Sequence, residues 1–425
     1  MDMAGRPLSA WLTWLETLSP AEITMGLERV TAVLDRLQLE LPQCVFHVAG
    51  TNGKGSSVAM LAALLRGAGM SVGCYTSPHV REFNERIRLN GSDASDEAIV
   101  AAFERVEAAR EDVPLSYFEY GTLAALVEFS ASDLDAAILE VGMGGRLDAV
   151  NAVEPTAGLI TNIALDHCNW LGNDIETIAR EKAGIMRADK PVVYGSKDMP
   201  ASIADRADAT GARLVAAGRD FDWSVDGNRW SWRGSGRELR DLQLPSLPGR
   251  HQISNAAAVL ALCEAAGFGE LLDVDSVDRA LGAIRLDGRM QSIESDPRWL
   301  LDVAHNPAAA EALAEMLRNN PAEGSTVAVI GLLDDKDVEG VVEPLVGIVD
   351  EWIAVAADSA RAIPANELAR QVANRSNAAC LVADSIADGV DRASAIAADA
   401  DRILVTGSFY VVGPVLAGLY SPRTS

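Results

Sequence analysis

The residues from 45 to 65 constrain this chain more than any other stretch. Val45 to Ala49 make an apolar run suited to a buried strand. Gly50-Thr51-Asn52-Gly53-Lys54-Gly55-Ser56 then places three glycines in seven positions, and Val58, Leu61, Leu64 and Leu65 recur at helical spacing. The glycine density predicts irregular backbone through Ser56, with the helix taking over from Ser57. Strand, glycine loop and helix make a phosphate cradle, because bare backbone N–H groups and the positive end of a helix dipole converge on an anion. Lys54 would meet the outer phosphates, and Ser56 or Ser57 would bring a hydroxyl near a metal ion. The strict P-loop pattern is not met: Val48 stands where a glycine is usual, and Gly55 where Ser or Thr usually follows the lysine. A surface turn is the alternative reading, but a lysine inside a glycine loop between strand and helix has little structural use.

The rest of the composition narrows the partners. A formal charge of −25 argues against nucleic acid, whose binding rests on many Lys and Arg contacts to phosphate, and against an anionic membrane surface. The five cysteines are scattered and form no CxxC pair, which is reduced, cytoplasmic usage without a zinc site. Asp2, Arg6 and Glu16 interrupt the N-terminal apolar residues, which speaks against a secretory leader, and no run is long enough to span a bilayer.

At 425 residues, two domains are expected. Helices are predicted over 10–18 and 26–37, then strands over 71–76, 136–141, 158–163 and 191–194, with helices over 96–111, 121–129 and 175–186 between them. This is a doubly wound, mainly parallel α/β sheet, which binds ligands at the carboxyl ends of its strands. Residues 220–232 differ in kind. Phe221, Trp223, Val225, Trp230 and Trp232 alternate around Asp226-Gly227-Asn228, a hairpin signal that suggests a small antiparallel sheet. A helix over 253–266 follows. A second rhythm, with strands over 299–303, 326–332, 351–356, 379–383 and 402–406, reads as a smaller Rossmann-like α/β domain. The predicted division is an ATP-binding domain over 1–287, a linker over 288–298 and a C-terminal domain over 299–425.

Several residues then carry chemistry. Glu140 closes the strand over 136–141, where a P-loop protein normally holds nucleotide-bound Mg²⁺; a salt-bridged strand-end Glu is the bland alternative. Asp166-His167 follows the next strand, and a neutral imidazole can ligate a divalent ion if its second nitrogen has an orienting partner. Lys182 reads either as a surface residue, or as a group facing the metal as a cation or a carbamate. Asp302, His305 and Asn306 crowd the end of a second-domain strand ahead of Pro307, and Arg289 could reach a nucleotide held between the domains.

In order along the chain, the stretches 26–29, 50–56, 76–79, 118–121, 139–151, 166–172, 181–184, 251–255, 288–291, 302–307, 334–337 and 406–408 resemble the Mur-ligase superfamily. More narrowly, the set is similar to the bifunctional dihydrofolate synthase/folylpolyglutamate synthase family. The resemblance implies that Asn52, Gly53, Lys54, Gly55, Ser56, Asn255, Arg289 and Asp302 hold ATP. It implies Ser77, Glu140 and His167 as ligands of Mg²⁺, two ions in all, with Lys182 carbamylated near the second. Phe118, Leu147, Asp148 and Ala149 would line a pterin site bordered by Ile23, Thr24 and Met25; the middle position is often acidic in the family, and here it is Thr24. His305 and Ser408 would lie at the glutamate site, with Lys54, Lys182 and His305 in the chemistry.

The implied reaction is ATP-dependent ligation of L-glutamate to 7,8-dihydropteroate, and of further glutamates to folates, through an acyl phosphate. A polyglutamate-only synthase, a muropeptide-type ligase and a nucleotide-binding module without ligase chemistry are the rivals. A muropeptide ligase carries an extra domain before the P-loop for which this chain has no room. The chain is expected to act as a cytoplasmic monomer on small molecules.

Overall fold

Eight strands, β1 (Cys44–Ala49), β2 (Val72–Tyr75), β3 (Ile87–Leu89), β4 (Ser92–Asp93), β5 (Ala136–Glu140), β6 (Ala157–Ile160), β7 (Pro191–Tyr194) and β8 (Arg213–Ala216), form one sheet in the order β4-β3-β2-β5-β1-β6-β7-β8. Six of them run parallel, while β3 and β4 form an antiparallel edge. The P-loop strand β1 therefore lies between β5 and β6, and its register sets Val48 beside Glu140. A computed structural model describes Met3, residues 5–18 and residues 26–420.

Apolar side chains are buried on both faces of this sheet: Val45, Phe46, Val48, Ile138, Leu139, Leu159 and Ile160. Each such burial stabilises by about 1.5–3 kcal/mol, which holds the strand ends and their loops in place. His47 shares this core. Both of its ring nitrogens lack a hydrogen-bond partner, and burial, with the nearby charge of Arg187, pushes its pKa down to about 3.

A three-stranded antiparallel sheet follows: β9 (Asp222–Asp226), β10 (Arg229–Arg233) and β11 (Glu238–Gln243). Trp230 and Trp232 are buried, and their indole N–H groups donate to the carbonyls of Gln243 and Ala257. The third sheet has the order β12-β13-β17-β14-β15-β16, from β12 (Gln291–Ile293), β13 (Asp296–Leu301), β14 (Thr326–Ile330), β15 (Glu351–Ala354), β16 (Cys380–Val382) and β17 (Arg402–Thr406). All are parallel except the edge strand β12.

The chain divides into two units. One holds the described residues up to Ile163 with Asp174–Ser246 and Gln252–Ile284. The other holds Ala164–Asn173, Leu247–His251 and the described residues from Arg285 onward.

The structure departs from expectation in several places. The P-loop helix begins at Lys54, so Lys54, Gly55 and Ser56 are its first turn, not irregular backbone. A helix N-terminus tolerates glycine because its first N–H groups need no partner within the helix. The strand expected over 158–163 stops at Ile160, where Thr161 and Asn162 turn to bond the loop. The stretch 288–298 carries β12 and the start of β13 instead of an irregular linker, with the two strands paired. The helix Ala201–Thr210 and strands β3, β4, β8 and β11 had no expected counterpart.

Candidate active site

The loop after β1 is shaped by contacts that exclude side chains. Gly50 has φ +145°, and a Cβ there would lie 1.8 Å from Thr161 Oγ1; Gly53 has φ +83°, and a Cβ would lie 2.6 Å from Asn255 Oδ1. Only glycine meets both demands at no cost. The loop is pinned from β6: Thr161 Oγ1 donates to the Asn52 carbonyl at 2.6 Å and Asn162 Nδ2 donates to it at 3.0 Å. Asn52 N in turn donates to Asn162 Oδ1 at 3.0 Å. Lys54 Nζ folds over the loop and donates to the carbonyls of Gly50 and Thr51, each at 3.2 Å. Ser56 and Ser57 are buried in the first turns of the helix Lys54–Gly67. The structure thus brings Asn52, Gly53, Lys54, Gly55, Ser56 and Asn255 together. Thr161 and Asn162 were missed; a polar Thr-Asn pair directly after an apolar strand was the available signal.

Glu140, buried at the end of β5, accepts from Ser77 N at 3.2 Å, and Gly55 faces its Oε2. Ser77 precedes a cis bond to Pro78. On the other side of the loop, Lys182 ends the helix Ile175–Lys182, and its buried Nζ donates to the Gly50 carbonyl at 2.9 Å. Lys182 is placed by its neighbour: Arg146 N donates to the Glu181 carbonyl, and Arg146 and Glu181 pair at 2.9 Å. No three described His, Cys, Asp or Glu side chains gather into a ready-made cage for a metal ion. One carboxylate beside a phosphate cradle suits Mg²⁺, which keeps most of its shell in water and phosphate oxygens.

The Glu140 strand leads into a loop that meets an aromatic ring. Phe118 presses so closely on Gly142 that a Cβ there would lie 2.5 Å from the ring, and the ring centroid is 5.9 Å from that of Tyr75. At the far end of this loop Asp148 is buried and accepts from Met143 N and Val150 N; burial raises its pKa to about 6. Leu147 is half-buried, and Ala149 begins a short 3-10 helix. Phe118 and the loop carrying Leu147, Asp148 and Ala149 therefore come together, while Ile23, Thr24 and Met25 lie outside the described residues.

The second unit holds its own polar cluster. Asp166 Oδ1 meets Lys336 Nζ at 2.7 Å, and its Oδ2 accepts from Asn306 Nδ2 at 3.0 Å and faces His305 Nε2 at 3.6 Å. Its pKa is depressed below the carboxylate range, against the opposing effect of burial, by His305, His167 and Lys336. His167 has Nδ1 3.5 Å from Asp335, and burial lowers its pKa, which favours the neutral form of the ring that ligates metal ions. His305 Nδ1 lies 2.8 Å from the Val303 carbonyl; a carbonyl only accepts, so this nitrogen carries the proton. Arg289 stacks on Phe409 at 5.2 Å, Phe409 lies 5.9 Å from the His305 ring, and buried Ser408 precedes it. Both carboxylate oxygens of Asp302 accept backbone N–H groups, from Met290 and Ala304. In the sequence, Asp335 and Lys336 stand out only as part of a resembling stretch; the pairing of Lys336 with Asp166, 170 residues away, has no local signal.

A family model described as "Mur ligase middle domain" matches residues 48–263, and one described as "Mur ligase, glutamate ligase domain" matches residues 288–409. The dihydrofolate synthase/folylpolyglutamate synthase of Escherichia coli K12 is 42% identical over 422 residues, 99% of this chain and 97% of that protein. The chain belongs to this family. The Mycobacterium tuberculosis dihydrofolate synthase/folylpolyglutamate synthase is 34% identical over 95% of the chain and 89% of its own length. E. coli FolC in complex with DHPP and ADP matches with a TM-score of 0.92 at 41% identity, over 99% of each chain. A bifunctional folylpolyglutamate synthase/dihydrofolate synthase with Mn, AMPPNP and L-glutamate bound matches with a TM-score of 0.90 at 40% identity, over 99% of this chain and 100% of that one. As a member of this family, the chain is an ATP-dependent ligase of folate metabolism that uses a divalent metal ion.

Proposed function

We propose that this chain joins L-glutamate to 7,8-dihydropteroate and then adds further glutamates to folates. The observation that carries the reading is the Gly50–Lys54 loop clasped by Thr161, Asn162 and Asn255, with Glu140 at its edge and Phe118 at the end of the same loop system. ATP is assigned to Asn52, Gly53, Lys54, Gly55, Ser56, Asn255, Arg289 and Asp302, with Asp302 acting by bracing the backbone at Met290. The pterin is assigned to Phe118, Leu147, Asp148 and Ala149, and glutamate to His305 and Ser408. Functionally, 1–287 is the nucleotide domain, 288–298 the connection and 299–425 the glutamate domain, in a cytoplasmic monomer.

In the first step a substrate carboxylate oxygen attacks the γ-phosphorus, the bond to the bridging oxygen breaks, and ADP leaves. Two anions must approach, and the Lys54 ammonium and the loop N–H groups offset their repulsion. Ser77, Glu140 and His167 would hold magnesium, two ions with Lys182 as a carbamate beside the second; the metal supplies charge neutralisation at the phosphates. In the second step the glutamate amine attacks the acyl carbon and phosphate leaves. His305 can take the amine proton at Nε2, because Nδ1 is already donated to Val303, and the Asp166 carboxylate, 3.6 Å from that same Nε2, would stabilise the new charge.

The test is ADP release with glutamate plus either dihydropteroate or tetrahydrofolate. Turnover with both supports the bifunctional reading. Turnover with tetrahydrofolate alone reduces it to a polyglutamate synthase, and turnover with neither overturns it.

A further inference from the structure

The helix turn that carries Phe118 is held by an ion pair to a second helix. Phe118 is the second residue of the helix Tyr117–Ala131, so its direction depends on how that helix begins. The first turn is closed by a capping box. Ser116 N donates to Glu119 Oε2 at 2.7 Å, and Glu119 N donates to Ser116 Oγ at 3.3 Å. The Phe118 carbonyl accepts from Thr122 Oγ1 at 2.9 Å, which ties the same turn from the other side.

A capping box needs only one acceptor from the third helical residue, and glutamine supplies it as well as glutamate. Here the remaining oxygen, Oε1, is taken by Arg29 Nη2 at 2.9 Å, with the carboxylate side chain 6% exposed and the guanidinium 24%. A buried carboxylate is costly unless a cation answers it, so its presence where an amide would do the local task calls for a second task. That task is to couple the helix Glu28–Leu37, on which Arg29 lies, to the turn that aims Phe118 at Gly142. The backbone at Gly142 leaves the ring no slack on that side, so a shift at Glu119 must move the exposed face of Phe118.

We propose that Arg29 and Glu119 are a positioning pair that sets the seat of the acceptor's pterin ring on Phe118, and so tunes affinity for the pterin acid without touching nucleotide or glutamate. This rests on the assignment of Phe118 to the pterin.

The test compares Glu119→Gln, Arg29→Lys, the double variant Arg29→Met/Glu119→Gln and Phe118→Ala in steady-state kinetics with dihydropteroate, ATP and glutamate. Glu119→Gln keeps the cap and loses the pair. It is expected to raise KM for dihydropteroate about tenfold, with KM for ATP and glutamate and the melting temperature little changed. The double variant removes both members of the pair, and it is expected to match Glu119→Gln instead of adding to it. Arg29→Lys keeps the pair and is expected to stay near the parent. An unchanged dihydropteroate KM in both Glu119→Gln and the double variant, with Phe118→Ala raised, overturns the positioning role alone. An equal rise in the KM for ATP overturns it as well, because the effect is then general loosening. An unchanged dihydropteroate KM in Phe118→Ala removes the pterin assignment beneath it.

Discussion

Lys182 Nζ donates to the carbonyl oxygen of Gly50 at 2.9 Å, joining residues 132 positions apart and fixing the end of one helix to the first turn of the phosphate loop. A carbamate formed from Lys182 and CO₂ retains one N–H, so this bond would persist while the charge at the side chain reversed. Both forms are therefore compatible with the contact, and chemical rescue separates them.

Lys182→Ala is expected to lower turnover by about 100-fold or more, the scale on which a lost charged group acts in a preorganised site. Recovery with formate or propionate identifies a carbamate, and recovery with methylammonium identifies a cation. The measurement is ADP release in each additive.

Gly53→Ala is expected to weaken ADP binding about tenfold by calorimetry. The left-handed backbone at φ +83° costs an alanine about 1–2 kcal/mol, and the new methyl would strike Asn255. Asn255→Ala would relieve the collision but not the backbone strain, and it removes a group assigned to the nucleotide, so the double variant is expected to bind ADP no better than Gly53→Ala.

Glu140→Gln leaves an acceptor for Ser77 N but removes the charge. The expected result is a rise of about tenfold or more in the Mg²⁺ concentration needed for half-maximal turnover. An unchanged magnesium titration would exclude Glu140 from the metal.

His47 gives the fold an acid-sensitive strand. Its folded pKa of about 3 lies below the ordinary histidine value, so the unfolded chain binds the extra proton between the two. The stabilising contribution is complete above the unfolded pKa and is lost as pH falls below it, by about 2 kcal/mol at about pH 5. Urea unfolding of the parent and of His47→Leu at neutral pH and at about pH 5 checks this: the variant should show the smaller loss.

The phosphate loop was legible because its glycines, its lysine and the flanking apolar periods agree, although it breaks the strict pattern at Val48 and Gly55. The extent of its helix was not, since glycine propensity argues against a helix that nonetheless starts at Lys54. The helix Ala201–Thr210 carries only Ile203 and Ala207 as buried apolar residues, too weak a stripe to read. By contrast, Ser116 and Glu119 spelled out a capping box that places the start of the Phe118 helix, four residues ahead of the expected one. Asp166 was visible as the neighbour of His167, but nothing near it announced Lys336.

The grouping of residues 164–173 with the chain beyond 285 has a consequence for how the protein can be divided. A fragment cut at residue 285 would take Lys336, His305 and Asn306 but leave Asp166 behind, so the buried Lys336 ammonium would keep Asp335 at 3.3 Å and lose its shorter pairing with Asp166 at 2.7 Å. No single cut separates the two units whole, because residues 164–173 and 247–251 of the second are encoded within the span of the first.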